Sequence, residues 1–160
     1  MKMNLKTWLK EERLKTHSTS KEEIEKLFKI VNRDLADAEL LGLSPDRKFI
    51  TAYNAALQLA TIVLRAAGYR TNPNKTGHHR ISIDALSEIA GEELEEVSSY
   101  LNACRVKRHI CDYTSSGEVS EGEASEIVKE IKNFKIFVVE WIQKNHPHLL
   151  SSRENHYKKL

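Results

Sequence analysis

Residues 45–67 are apolar on almost every side of a helix, and that stretch limits what the whole chain can become. Phe49, Ile50, Ala52, Tyr53, Ala56, Leu57, Leu59, Ala60, Ile62, Val63 and Leu64 spread right round the helical wheel. A helix lying on one side of a single core needs only one apolar stripe. One that is apolar all round has to be enclosed by other helices, and its alanines let those neighbours come close. A narrow strip of Thr51, Asn54, Gln58, Thr61 and Arg65 escapes this rule. Its polar groups either meet another polar strip or line a cleft. Ser44-Pro45 supplies the start, serine as cap and proline in the first turn, and Gly68 the end.

Helices fit the rest of the chain as well. Ser20-Lys-Glu-Glu23 has the spacing of a capping box and precedes the core stripe Ile24, Leu27, Phe28, Val31, Leu35 and Ala38, with Gly42 as the stop. Residues 69–77, with Asn72-Pro73-Asn74, predict a loop. His78-His79-Arg80 leads into a helix through Ile81, Ile83, Leu86 and Ile89 that ends at Gly91. A further helix spans residues 92–113, and residues 114–117 turn the chain. A second capping box, Ser120 with Glu123, opens the last helix through Ala124, Ile127, Val128, Ile131, Phe134, Val138, Trp141 and Ile142. The first sixteen residues predict a short, loosely docked amphipathic helix around Leu5, Trp8 and Leu9. No strand signal is visible. The expectation is an all-α, up-and-down bundle of about five main helices over residues 19–146. An accessory segment, 1–18, precedes it, and a polar tail, 147–160, follows and frays from residue 151. At 160 residues the chain is long enough for one domain with a real core.

No uninterrupted apolar run approaches the roughly 18–20 residues that cross a bilayer, since Gln58, Thr61 and Arg65 break the best candidate. The first residues lack the apolar segment of a secretion signal. Both features predict a cytoplasmic protein with no membrane partner. Cys104 and Cys111 stand two helical turns apart, about 10 Å, too far for a disulfide and without zinc spacing. They predict buried thiols, and neither a metal nor a cofactor is expected.

Charge is segregated along the chain. Residues 47–83 and 97–111 contain no Asp or Glu but carry Arg47, Lys48, Arg65, Arg70, Lys75, Arg80, Arg105, Lys107 and Arg108. Such an arrangement favours an anionic partner at the basic part. The segment from Cys104 to Tyr113 sharpens the point. It places Asn102, Arg105, His109 and Asp112 on one helical stripe with Arg108 beside it. Leu94, Val97, Leu101, Cys104 and Cys111 form an apolar face on one side; Ala103, Val106, Ile110 and Tyr113 form a second, nearly opposite. Two apolar faces with cations between them predict a helix that touches both its own core and a second surface, another copy of the protein being the leading candidate.

The pairing of Ala52-Tyr-Asn-Ala-Ala-Leu-Gln-Leu-Ala60 with Arg105-Val-Lys-Arg-His-Ile-Cys-Asp-Tyr113, with Gly77-His-His-Arg80 between them, resembles the HEPN superfamily over about residues 20–142. The resemblance implies a helical bundle that forms a homodimer through the helix bearing an Arg-x4-6-His motif. Active members are metal-independent ribonucleases; others partner minimal nucleotidyltransferases in toxin–antitoxin or defence modules. This chain departs from the catalytic spacing. Counting from Arg108, the range for histidine holds Tyr113, Thr114 and Ser115; counting from Arg105, His109 comes one residue early. Arg108 with Asp112 and Tyr113 instead resembles the Arg-Asn-x-x-Asp-Tyr variants, His109 standing where asparagine is usual.

The candidate ligand-binding residues are therefore Asn102, Arg105, Arg108, Asp112 and Tyr113, with His78, His79 and Arg80 at the start of the preceding helix. Arginines hold phosphate by bidentate hydrogen bonds, and a helix start favours anions. The leading expectation is a non-catalytic module that binds a nucleotidyltransferase or RNA. One alternative is a metal-independent ribonuclease with His109 as base and Arg105 and Arg108 on the phosphate. Another is a nucleotide- or anion-binding helical protein. A plainer reading makes Arg108–Asp112 and Arg105–Asp112 structural pairs and His109 a solvated side chain. Tyr53 and Tyr69 are candidates for stacking on a base.

Overall fold

A computed structural model describes residues 4–113 and 116–151. In chain order it contains α1 (Leu5–Lys10), β1 (Leu14–Thr16), α2 (Lys21–Ala38), α3 (Pro45–Ala66), β2 (Tyr69–Thr71), α4 (His78–Ala90), α5 (Glu95–Tyr113) and α6 (Glu121–Asn145). A turn of 3-10 helix, Glu92–Leu94, leads into α5. The architecture is an all-α bundle of five main helices with a short helix ahead of it. α3 sits in the middle and packs against α2, α4, α5 and α6. Its length and apolarity are those of a membrane-crossing helix, yet Phe49, Tyr53, Leu59, Ile62 and Val63 are all buried inside the bundle. Of its circumference only Thr51, Asn54, Leu57, Gln58, Thr61 and Arg65 and parts of the ends stay half-open, which is the polar strip with one leucine added.

Caps fix the helix starts. Ser20, Ser44 and Ser120 each accept a hydrogen bond from the backbone N–H three residues on. At α6 the capping box is complete, Glu123 reaching back to the N–H of Ser120 at 3.1 Å. The same spacing at α2 gives a different result. Glu23 accepts from His17 Nε2 at 2.9 Å and from the guanidinium of Arg65, forty-two residues away in sequence. Half-buried carboxylate and guanidinium thus tie the N-terminal arm, α2 and α3 together. Burial pushes the Glu23 carboxyl up, but hydrogen bonds and charge from Arg65 and His17 outweigh it and hold the group below the usual carboxylate range. A lowered carboxylate pKa stabilises the fold above the unfolded-state value and is lost as pH falls through the folded one. Glu23→Gln is therefore expected to cost about 1–2 kcal/mol in urea unfolding at pH 7, the difference from wild type shrinking in acid. A gap that stayed constant down to pH 3 would show that charge is not what the contact contributes.

The N-terminal arm departs from expectation. Its helix stops at Lys10, and the following residues form a strand, β1, antiparallel to β2, with Leu14 opposite Thr71 and Thr16 opposite Tyr69. The predicted loop therefore begins with strand structure. Asn72, buried beyond β2, donates through Nδ2 to the carbonyl of Glu12 at 2.9 Å and through its backbone N–H to that of Arg13 at 3.0 Å. Nor is the arm loose. Trp8, 4% exposed, and Leu14 pack with Leu64, Ile81 and Ala85 as a second small core. At the other end the main core reaches past Pro147, where the pattern places the tail: Leu149 and Leu150 are buried in it. Residues 152–160 and the turn at 114–115 lie outside the described residues.

Candidate cationic cleft

α4 opens on Gly77, whose φ of 78° lies in the left-handed region that glycine adopts without strain. No side chain caps the helix there, so its first-turn N–H groups are left to solvent or a ligand. α4 packs against α5, and this packing brings the start of one helix beside the end of the other. A cleft of about 310 Å³ results, lined by Gly77, His78, His79 and Arg80 from the α4 end and by Arg105, Arg108, His109, Asp112 and Tyr113 from α5. All the sequence candidates except Asn102 line it.

Hydrogen bonds and ion pairs set the cations in place. Arg105 Nε lies 3.5 Å from Asn102 Oδ1, Asn102 Nδ2 donates to Asp84 Oδ1 at 2.8 Å, and Asp84 Oδ2 lies 3.6 Å from Arg80 Nε. Asn102 and Asp84 thereby bridge the two arginines across the helix pair. Arg108 stands over the ring of Tyr53, 5.4 Å from its centroid, a cation–π contact that fixes the guanidinium at the floor of the cleft. Asp112 approaches Arg108 Nε to 3.5 Å, an ion-pair contact that leaves Nε without a hydrogen-bond partner among the described residues. Tyr53 is wholly buried, its hydroxyl likewise without a partner, and burial pushes its phenol up to about 12 against the pull of Arg108 and Arg105. It supports Arg108 and is closed to a stacking base. Tyr69, in β2, packs on the small N-terminal core.

The histidines divide. His109 is exposed, its ring 4.8 Å from that of Tyr113. His79 is half-buried, with the ring of His78 at 4.4 Å edge-on. Burial first, then the charges of His78, Arg108 and Arg105, push its pKa below the usual imidazole value and so favour its neutral form. Sequence gives His78 and His79 equal weight, and both are half-buried on the cleft. Arg105 finds Asn102 rather than Asp112, so only one of the two anticipated arginine–Asp112 pairs forms.

A larger hollow of about 920 Å³ adjoins the cleft and shares Gly77, Arg80 and Arg105 with it. Sequence reasoning missed it, because Trp8 and Arg13 reach it from the N-terminal arm while Ser87, Glu88, Ser98 and Ser99 come from α4 and α5. Cys104 is buried and Cys111 half-buried, both as free thiols, and burial pushes the Cys104 thiol up to about 11. Among the described residues no three His, Cys, Asp or Glu side chains gather as a metal site. No protein-family model, curated protein or solved structure matches the chain. The cleft is thus read from its own chemistry: guanidiniums from two helices, an open helix start and a neutral imidazole, an arrangement suited to holding a phosphate group.

Proposed function

We propose that this chain is a dimeric, HEPN-like module that is not itself an enzyme and that binds RNA or a nucleotidyltransferase partner, in the manner of toxin–antitoxin or defence systems. The observation that carries the reading is the meeting of residues 77–80 with Arg105 and Arg108 in one cleft. The resemblance in sequence draws attention to the same segments. The absence of chemistry is supported by the placing of the side chains: the Asp112 carboxylate is held by Arg108, and His109 leans on Tyr113 in solvent. Dimerisation is supported by the outer face of α5, where Val106 is 52% and Tyr113 77% exposed and Ala103 is exposed beside them.

Titration with a short single-stranded RNA, followed by fluorescence anisotropy, tests the reading. Three guanidiniums on phosphates give a slope of log affinity against log salt of about −2. Affinity that ignores salt would contradict it. The competing ribonuclease reading draws on one specific feature, that Arg105, Arg108 and His109 do line a common cleft; there His109 would take the 2′-hydroxyl proton while the arginines held the phosphate.

A further inference from the structure

We propose that the two hollows form one site for a phosphate monoester, whose dianionic head enters the cleft at Arg105 and Arg108 and draws a proton onto His79, while an uncharged, hydroxyl-bearing body lies in the larger hollow. The inference rests on the phosphate reading of the cleft and goes beyond it in choosing the class of phosphate.

The two hollows share Gly77, Arg80 and Arg105 and differ in character. At the smaller hollow the acids that approach Arg80, Arg105 and Arg108 among the described residues are Asp112 and the bridging Asp84. The larger hollow is mixed in charge: Asp84, Glu88 and Glu95 line it together with Arg13 and the shared Arg80 and Arg105. A second phosphate following the first would lie against Glu88 and Glu95 and be repelled by them. Hydroxyl groups would meet carboxylates and the serines Ser87 and Ser99 as hydrogen-bond partners, over an apolar floor of Trp8 and Ile81. The combined shape thus suits one phosphate at the end of a neutral polar body, while a strand of phosphodiesters engages the cleft alone. The larger hollow by itself, about 920 Å³, is within the range of small-molecule sites.

His79 sets the charge of the head group. The titratable and charged groups around it are His78, Arg80 and Asp84 on its own helix and Arg105, Arg108, His109, Asp112 and Tyr113 on α5. Burial first, and then the charges of His78, Arg108 and Arg105, favour its neutral imidazole. A dianion reverses the local field, and the imidazole then gains by taking a proton from solvent and donating a hydrogen bond to the phosphate. A diester brings only one negative charge, already matched by the arginines, and leaves His79 neutral.

Calorimetric titration distinguishes these cases, using methyl phosphate, dimethyl phosphate and ribose 5-phosphate at pH 7.5 in two buffers of different protonation enthalpy. Methyl phosphate is expected to bind about tenfold tighter than dimethyl phosphate, the scale of one hydrogen bond to a charged group, with net proton uptake. His79→Gln should remove both the uptake and the preference while keeping the fold by circular dichroism. Ribose 5-phosphate should bind tighter than methyl phosphate, and Ser99→Trp, which fills the larger hollow from an exposed position on α5, should erase that gain alone. A 5′-phosphorylated oligoribonucleotide beside its 5′-hydroxyl form shows whether the monoester is a chain end or a free small molecule, either of which the site's chemistry accommodates. Equal binding of monoester and diester, or proton uptake unchanged in His79→Gln, overturns this inference and leaves the phosphate cleft standing. Failure of all three small phosphates and of RNA to bind overturns both.

Discussion

RNA affinity is expected to fall about 100-fold when Arg105 and Arg80 are both reversed to glutamate, because each loses a phosphate contact and adds a repulsion. The two guanidiniums belong to different helices and are tied together only through Asn102 and Asp84. Arg80 is exposed and Arg105 half-buried, and the tie is a long one, so the folding cost of breaking it is expected to be about 1 kcal/mol. Lys26→Glu with Lys129→Glu, at exposed positions on α2 and α6, changes net charge by the same amount away from the cleft. That control is expected to weaken binding only a few-fold through the long-range field. Equal losses in the two double variants, measured by anisotropy at one salt concentration, would mean that RNA senses total charge and not this cleft.

Ile110→Glu is expected to convert a dimer into a folded monomer. Ile110 is half-buried, and with the exposed Val106 and Tyr113 it belongs to the apolar face that α5 turns outward. An unpaired carboxylate buried between two copies costs several kcal/mol; about 3 kcal/mol already weakens association more than 100-fold. In a two-fold interface the change appears twice, once from each copy. Val106→Glu, at a more open position, should have the same effect with less disturbance to the bundle. Light scattering across a micromolar series decides the matter, with circular dichroism to show that the helices persist. A wild type that remains monomeric at high micromolar concentration would remove the dimer from the account.

The central place of α3 was legible because its apolar residues go all the way round, and no neighbour-free arrangement could bury them. The small sheet was not legible. Leu14-Lys-Thr16 and Tyr69-Arg-Thr71 are each too short to show alternation, and what holds them together is the distant packing of Trp8 and the buried Asn72. The two Ser-x-x-Glu boxes look alike in sequence, yet Arg65 and His17 draw Glu23 away from its cap while Glu123 remains at its own. No local pattern carries that information.

The candidate site divides in the same way. Acid-free stretches and the arginine-rich end of α5 showed which residues carry the charge, and Gly77 marked the start of α4. That the two meet depends on how α4 and α5 pack, which lies above the level of any motif. His79 is set apart from the exposed His109 through burial beside Arg105 and Arg108. The larger hollow depends on the docked N-terminal arm, and a segment read as a loose accessory gave no reason to place Trp8 and Arg13 beside Ser99.

The central claim is that the cleft holds phosphate without breaking it, and purified protein incubated with mixed RNA in EDTA tests it most directly, run beside His109→Ala. Asp112 is engaged with Arg108, and neither a paired carboxylate nor a phenol is an effective general base for a 2′-hydroxyl. The account predicts bound and intact RNA with wild type and variant alike. Robust cleavage by the wild type that disappears in His109→Ala would contradict it and establish a metal-independent ribonuclease in its place.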